Sequence, residues 1–266
     1  MKQTFIHKSL ELEVTSSKEV IEKTFFSDKD DHEVVAIWLD YDKNEPNGDG
    51  TLGFFIADTE VLPYEFPSVF LNCGILNLNP EQVKHTFRET ALGAQLCFMY
   101  RDASVVIAPV AFVPYKVRIN LVFARYNEAL PSMPEYRTRY FLVTLAKNDS
   151  RVTMQISRFK AEYFKLIGVT AARCNSTTMS IQEKIMIPAP VQIAEDTLQI
   201  KIGGQELFLS DYPVELYSIN TQKGMNQGVQ ELDMLISHDS IELMYQYGQP
   251  VSEGGIYLLF KCLEKR

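Results

Sequence analysis

Apolar and polar residues alternate strictly in one stretch near the middle of the second half of the chain. Leu198, Ile200 and Ile202 are separated by polar side chains, and a Gly203-Gly204 pair follows them. Alternation with a period of two predicts a half-buried β-strand. Glycine readily adopts the positive φ that tight hairpin turns require, so the pair predicts a turn. The stretch therefore predicts a β-hairpin.

The same pattern occurs earlier in the chain. Residues 51–62 align with residues 197–208 without a gap, so that Ile56 matches Ile202. Both copies continue through an aromatic residue to a proline. Other segments resemble each other in the same order in both halves: residues 33–38 and 165–170, residues 94–100 and 240–246, and residues 118–125 and 255–262. We interpret this order as an internal duplication, in which residues 9–129 superpose on residues 140–265.

Short strands separated by turn residues recur throughout both copies, which favours an all-β chain with seven or eight strands per half. Strand number and length predict two tandem jelly-roll domains, each a β-sandwich. Leu130–Glu135 carries two prolines and predicts the linker, which gives domains of residues 1–131 and 135–266. The expected core comprises Trp38, Phe55, Ile56, Leu121, Phe123, Ile200, Ile202, Leu258 and Phe260.

One helix is predicted, over Pro80–Leu92. Asn79 precedes it as a candidate N-cap, with proline at the first helical position. Val83, Phe87 and Leu92 would form its buried face. The charged stretch of residues 18–32, by contrast, predicts a solvated loop or a short helix.

Composition narrows the class of protein. Apolar residues make up 46% of the 266 residues and charged residues 23%, which is enough apolar content for a core in each half. The formal net charge of −8 argues against a broad basic face for nucleic acid. The four cysteines form no CxxC pair and indicate buried thiols in a reducing compartment. An apolar leader and an 18-residue apolar run are both missing, so we expect a soluble product made in the cytoplasm.

Residues suited to catalysis do not group along the chain. A metal-dependent double-cupin enzyme would need histidines one residue apart, whereas His7, His32, His85 and His238 are isolated and are expected on the surface or in loops. The cysteines lie within apolar strand patterns, where a thiol is usually inert. We therefore predict a protein that is not an enzyme and that needs no cofactor.

One loop has the spacing of calcium ligands. Asp40, Asp42 and Asn44 match the first three ligand positions of an EF-hand. Position six is Glu45 rather than glycine, and no glutamate follows at position twelve. An ordinary acidic turn is the favoured interpretation, and these residues are the only metal candidate that the sequence offers.

The repeated order of strands, with a hairpin reading T-L-x-x-x-I-x-x-x-E followed by an aromatic residue and proline, resembles one family in particular. These are the double jelly-roll major capsid proteins of tailless, membrane-containing icosahedral bacteriophages, with the corticovirus-like and Flavobacterium-phage-like members nearest in length. The resemblance extends from about Ser9 to Lys265 and is clearest in the hairpin of residues 198–209, preceded by residues 164–170.

The resemblance implies a structural virion protein that forms homotrimers, and trimers that tile an icosahedral shell over an internal membrane. Its partners would be other copies of itself, other virion proteins and the viral membrane, without sequence-specific nucleic acid. We expect Ile185, Met186 and Ile187 to be covered at an interface, because such an apolar run is unfavourable in water.

Two alternatives stay open. One is a receptor-binding or adhesin module of two β-sandwiches. The other is a ring-forming DNA sliding clamp, which would need basic helices around a channel, whereas each half offers at most one helix.

Overall fold

The computed structural model describes residues 3–41, 50–72, 79–102, 112–127, 132–146, 152–174, 196–208, 212–217, 219, 225–226, 229–246 and 255–266. In the first half the strands are β1 (Gln3–Val14), β2 (Val20–Phe26), β3 (Glu33–Tyr41), β4 (Thr51–Ile56), β5 (Thr59–Leu62), β6 (His85–Thr90), β7 (Gln95–Arg101) and β8 (Tyr115–Tyr126). A 3₁₀ turn (Ser68–Phe70) and helix α1 (Pro80–Val83) lie between β5 and β6.

In the second half the strands are β9 (Tyr136–Ala146), β10 (Val152–Arg158), β11 (Tyr163–Cys174), β12 (Thr197–Ile202), β13 (Gln205–Phe208), β14 (Gln230–Leu235), β15 (Ser240–Gln246) and β16 (Gly255–Lys265). A 3₁₀ turn (Val214–Tyr217) lies between β13 and β14.

Each half folds into two four-stranded antiparallel sheets. The first half has the orders β1-β8-β3-β6 and β2-β7-β4-β5, and the second half repeats them as β9-β16-β11-β14 and β10-β15-β12-β13. Eight strands in two facing sheets with this crossing connectivity define a jelly roll. The chain is therefore all-β, with two tandem jelly-roll sandwiches. Among the described strands, none of one half shares a β-sheet with a strand of the other. The boundary at residues 131–135 stays a prediction.

The two repeated hairpins, β4–β5 and β12–β13, match in register. Ile56 pairs with Thr59 in the first, and Ile202 pairs with Gln205 in the second. The pairing register shifts at the equivalent place in both, just before Phe55 and just before Lys201. Gly203 and Gly204 have φ of 57° and 80°, as a tight turn requires. A β-bulge also recurs, between Val34 and Ala36 of β3 and between Leu166 and Gly168 of β11. A bulge is a local defect in pairing, so its repetition is strong support for the duplication.

The structure corrects the alignment of two repeated segments. Ile56 pairs with Leu96 and Ile202 with Ile241, so β15 is shifted by one residue from the predicted match. In the last strands of the two halves, β8 and β16, Phe123 and Cys262 lie at the equivalent place beside the bulge. The predicted match aligned Phe123 with Phe260, so the alignment is shifted by two residues. A shift of two keeps every side chain on its original face, so the hydrophobic pattern could not have revealed it.

The predicted helix over Pro80–Leu92 is wrong beyond its first turn. Asn79 does cap α1, accepting a hydrogen bond from the Glu81 N–H at 3.0 Å. The chain then enters β6, where buried and more exposed residues alternate. Phe87 and Val83 are buried, but Leu92 is 45% exposed. Strand pairing with β3 outweighed a helix start whose following residues include β-branched threonines.

Within residues 18–32, the prediction of a loop or short helix is wrong for Val20–Phe26, which form β2, an edge strand paired with β7. The sequence patterns did not predict β14, an edge strand paired with β11. Both strands keep apolar side chains at their ends, Phe26 of β2 being 69% exposed and Leu235 of β14 being 75% exposed. An edge strand has a neighbouring strand on one side only, so apolar and polar residues alternate less regularly along it than along a central strand.

The core occupies the space between the two sheets of each half. Seven of the nine predicted core residues are buried: Ile56, Leu121, Phe123, Ile200, Ile202, Leu258 and Phe260. Trp38 and Phe55 are only half-buried, so the prediction is wrong for both. Each lies on the outer face of its strand, and Trp38 contacts the His7 ring edge-on at 6.1 Å between centroids.

Candidate functional site

The two sandwiches meet where the first half packs against the sheet β9-β16-β11-β14 of the second half. Edge strand β6 of the first half faces edge strand β9 of the second, through the side chains of His85 and Glu89 on β6 and of Arg139 and Tyr140 on β9. We call this contact the intrachain junction. Leu259 of β16 and Ala172 of β11 are buried in the same apolar cluster as the core of the first half, so the junction covers part of the face of this sheet as well as its edge strand β9.

A buried ion pair is central to the intrachain junction. The Arg139 guanidinium donates through Nη1 to Glu89 at 2.8 Å, and their side chains are 5% and 7% exposed. Nε of Arg139 lies 3.1 Å from Glu264, which also accepts two hydrogen bonds from Arg137. Arg266 contacts Glu89 at 3.1 Å. Each carboxylate is thus shared by two arginines, which offsets the cost of burying its charge, while Nη2 of Arg139 is buried without a hydrogen-bond partner.

A neutral histidine packs beside this pair. His85 is 1% exposed and exchanges a hydrogen bond with the Tyr140 hydroxyl, which lies 2.9 Å from Nδ1. Burial, with a smaller contribution from nearby Lys261 and Arg139, lowers the pKa of His85 to about 3. Burial raises the pKa of Tyr140 above its usual range. The expectation that the histidines are all on the surface or in loops is wrong for His85.

A hollow of about 270 Å³ opens at the rim of the intrachain junction. Its walls comprise Thr86, Phe87, Arg88, Pro134, Tyr136, Arg137, Thr138 and Arg266. All three arginines are already paired: Arg88 with Glu33, Arg137 with Glu264 and Arg266 with Glu89. The hollow is therefore lined by the junction's own ion pairs, and we assign it no ligand.

Sequence reasoning missed the junction residues. The signal was present, because His85 and Glu89 occupy the same alternating positions as Phe87 in β6. A charged residue in the apolar phase of a strand indicates burial against a partner of opposite charge. The partner, Arg139, lies 50 residues away, and nothing in the sequence pairs it with Glu89.

Apolar side chains are also exposed on the outer face of the second sandwich. Met154 and Ile156 on edge strand β10 are 76% and 74% exposed. The equivalent residues of the first half are Glu22 and Thr24 of β2, which pair with β7 as Met154 and Ile156 pair with β15. The two copies thus differ in chemistry at equivalent positions, since the first copy has polar side chains where the second has apolar ones. Apolar residues on an edge strand favour association.

Buried tyrosines lie near the ends of the equivalent strands β7 and β15. In the first half the Tyr100 hydroxyl lies 3.0 Å from the Tyr115 hydroxyl, which donates to Asp102 at 2.6 Å. In the second half the equivalent residue, Tyr245, donates to buried Asp196. Burial raises the pKa of Tyr100 well above its usual range, so its hydroxyl stays protonated.

The predicted calcium candidates fall mostly outside the described residues. Asp40 is the penultimate residue of β3, half-buried, with an oxygen 3.8 Å from Arg118. Asp42 and Asn44 lie outside the described residues, as do Ile185, Met186 and Ile187. Both site predictions stay untested. Of the cysteines, Cys262 is buried and its pKa is raised to about 12 by burial.

The described residues contain no group of three or more histidine, cysteine, aspartate or glutamate side chains placed to hold a metal ion. None of the helices in these residues is long and apolar enough to span a membrane.

Sandwich topology defines the class: a tandem jelly-roll protein. Two solved structures are similar to this chain in fold. VP54 of PBCV-1, whose crystal structure was fitted into a cryo-EM reconstruction of the virophage Sputnik, matches over 99% of this chain and 94% of its own, at 9% identity and a TM-score of 0.52. The major capsid protein P2 from Bacteriophage PM2 covers 97% and 98%, at 10% identity and a TM-score of 0.46. No family model and no curated protein matches the sequence.

Proposed function

We propose that this chain is a structural virion protein that self-assembles as trimers into an icosahedral capsid shell over an internal membrane. In this role it works by association rather than by catalysis. It is made in the host cytoplasm and resides in the virion, where its partners are other copies of itself, other virion proteins and the membrane.

The observation that carries the proposal is the presence of two like jelly rolls in one chain, joined by a buried junction. Three such chains present six similar sandwiches, which suits a ring of six-sided outline and its packing in a closed shell. VP54, which shares this fold over nearly its whole length, is a protein whose structure was fitted into a virophage reconstruction. An acidic net charge of −8 also fits a shell that does not bind nucleic acid through a broad face.

The first alternative predicts a different mass in solution. A free adhesin module would be stable as a monomer, whereas a shell protein with exposed apolar edge residues should associate. The sliding-clamp alternative would need basic helices around a channel, and the segment predicted as a helix, Pro80–Leu92, is a single helical turn followed by β6.

Light scattering coupled to size-exclusion chromatography near neutral pH tests the proposal. We expect a trimer at micromolar concentration, and ring-shaped or hexagonal particles in negative-stain images. A monomer at all concentrations would refute the proposal and favour the adhesin.

The membrane part of the proposal has its own test. Trimers are mixed with vesicles of neutral and of anionic phospholipid and floated on a density gradient. Co-flotation with either vesicle supports contact with a membrane, and the difference between the two shows whether charge contributes. If the protein stays at the bottom of both gradients, the shell need not lie directly on lipid.

A further inference from the structure

Strand β10 turns its apolar side chains away from the core of the second sandwich. Met154 and Ile156 are 76% and 74% exposed, whereas Gln155 and Ser157 are half-buried. Residues that pair directly across an antiparallel ladder lie on the same face of the sheet. Gln155 pairs with the core residue Leu243, so the inward face of β10 is its polar face. A sandwich strand normally shows the opposite order, so the pattern indicates that the outward face of β10 is covered by another apolar surface.

The equivalent strand of the first sandwich, β2, has the usual order. Phe25 of β2 is the counterpart of Ser157 and packs against the core of the first half. On the outward face of β2, the two positions equivalent to the exposed apolar residues of β10 carry Glu22 and Thr24. Both strands hold the same place in the same fold, so the jelly roll itself does not require the reversal seen in β10.

The two halves differ in the same way in the connection that follows the third strand of each sandwich. Residues 42–50, between β3 and β4, contain no large apolar residue. Residues 175–196, between β11 and β12, are more than twice as long. Their large apolar residues are Met179, Ile181, Ile185, Met186, Ile187, Val191 and Ile193. Residues 175–195 lie outside the described residues, so this comparison uses their sequence alone. The half with the apolar outward face is therefore the half with the apolar connection.

The long connection rejoins the sheet close to β10. Thr197, the first residue of β12, pairs with Gln246 of β15, which pairs on its other side with Val152 of β10. Neighbouring strands lie about 4.8 Å apart, so Val152 is about 10 Å from Thr197, and Met154 follows two residues further along β10. Ile187 precedes Thr197 by about ten residues, which span up to about 33 Å. The apolar run of the connection is therefore long enough to reach the outward face of β10.

We infer that residues 179–187 lie across the outward face of β10 in the same chain, with Ile185 and Ile187 covering the exposed apolar side chains. Met244 of β15, which pairs with Met154 and is half-buried, extends the apolar surface on which they pack. The segment is tethered to the sandwich at both ends, so docking costs no translational freedom of a separate partner. Both partners belong to one chain, so this contact is independent of the proposed assembly into a shell.

Photo-cross-linking in the whole chain identifies what covers β10. Met154→p-benzoylphenylalanine places a photoreactive group at a position that is 76% exposed, so the substitution should leave the fold intact. We expect mass spectrometry to find cross-links to residues 175–195, in a product that keeps the mass of one chain on a denaturing gel. Glu22→p-benzoylphenylalanine, at the equivalent position of β2, is the matched control and should give no cross-link to that segment.

Limited proteolysis measures how firmly the segment is held. Trypsin cleaves after Lys184, inside the segment, and at low protease concentration the cleavage rate follows the population of the undocked form. Ile156→Glu places a charge on the docking surface and should raise the cleavage rate at Lys184 at least tenfold, which corresponds to about 1.4 kcal/mol. Thr24→Glu introduces the same charge at the equivalent position of β2 and should leave this rate unchanged. Far-UV circular dichroism confirms that both variants are folded.

Three results would overturn the inference. Cross-links from position 154 to another part of the chain, or none at all, would mean that the connection does not cover β10. A cross-linked product with twice the mass of one chain would show that a second copy is the occupant. Equal cleavage rates in Ile156→Glu and in the unmodified protein would show that the segment is not held on this face. The mass in solution, measured by light scattering, tests the proposed function separately.

Discussion

The intrachain junction should tolerate loss of its whole ion pair far better than loss of one partner. Arg139→Ile leaves the Glu89 and Glu264 carboxylates with one arginine each, Arg266 and Arg137. Breaking a buried pair typically costs about 3–5 kcal/mol. Because both carboxylates keep a partner, we expect Arg139→Ile to lower the free energy of unfolding by less than this range, about 2 kcal/mol. We expect a similar cost for Glu89→Met, since Arg139 keeps Glu264 as a partner.

The double variant Glu89→Met/Arg139→Ile replaces the buried ion pair by two apolar side chains. Apolar residues often replace a buried ion pair at little cost, so we expect a loss of about 1 kcal/mol or less. The two single costs of about 2 kcal/mol would sum to about 4, so the coupling energy should be about 3 kcal/mol.

Urea denaturation at fixed protein concentration measures these energies. Trp38, the single tryptophan, lies in β3 and reports the first half, while circular dichroism reports both halves. Arg118→Ile serves as the control, because Arg118 is 53% exposed and its ion pairs are at 3.8 Å, so its loss should change stability by less than about 0.5 kcal/mol. Additive single costs, with a coupling energy near zero, would refute the reasoning that the pair is buried and acts as a unit.

Further predictions concern the core, a tyrosine anchor and pH. Ile202→Ala should destabilise the protein by roughly 2–5 kcal/mol in urea denaturation, whereas Thr24→Ala, at an exposed position of β2, should be nearly neutral. Tyr245→Phe should cost about 1–3 kcal/mol, because the buried Asp196 carboxylate loses a hydrogen bond, and thermal melting should show the loss. Burial lowers the pKa of His85 from its ordinary value of 6.5 to about 3 in the folded protein. Between these two pH values the unfolded chain binds a proton at His85 that the folded protein does not bind. The free energy of unfolding should therefore fall as the pH decreases from 6.5 towards 3. His85→Gln should remove this part of the pH dependence, and an unchanged urea midpoint profile between pH 7 and 4 would contradict the assignment.

The duplicated all-β fold could be predicted because hydrophobic alternation is a local property of each central strand. Ile56 and Ile202 lie at the same place in both hairpins, with matching partners at Thr59 and Gln205. The register of the last strands could not be predicted, because a shift of two residues preserves the face of every side chain. Only the hydrogen-bonded neighbours of Phe123 fix it.

The edge strands and the intrachain junction escaped prediction for a different reason. β6 begins after a genuine helix cap at Asn79, and its pairing with β3 depends on residues about 50 positions earlier. Glu89 and Arg139 are buried by contact between two separate sandwiches, which no local pattern reports. Tertiary packing therefore decided both the strand and the charged pair, against the local preference of the sequence.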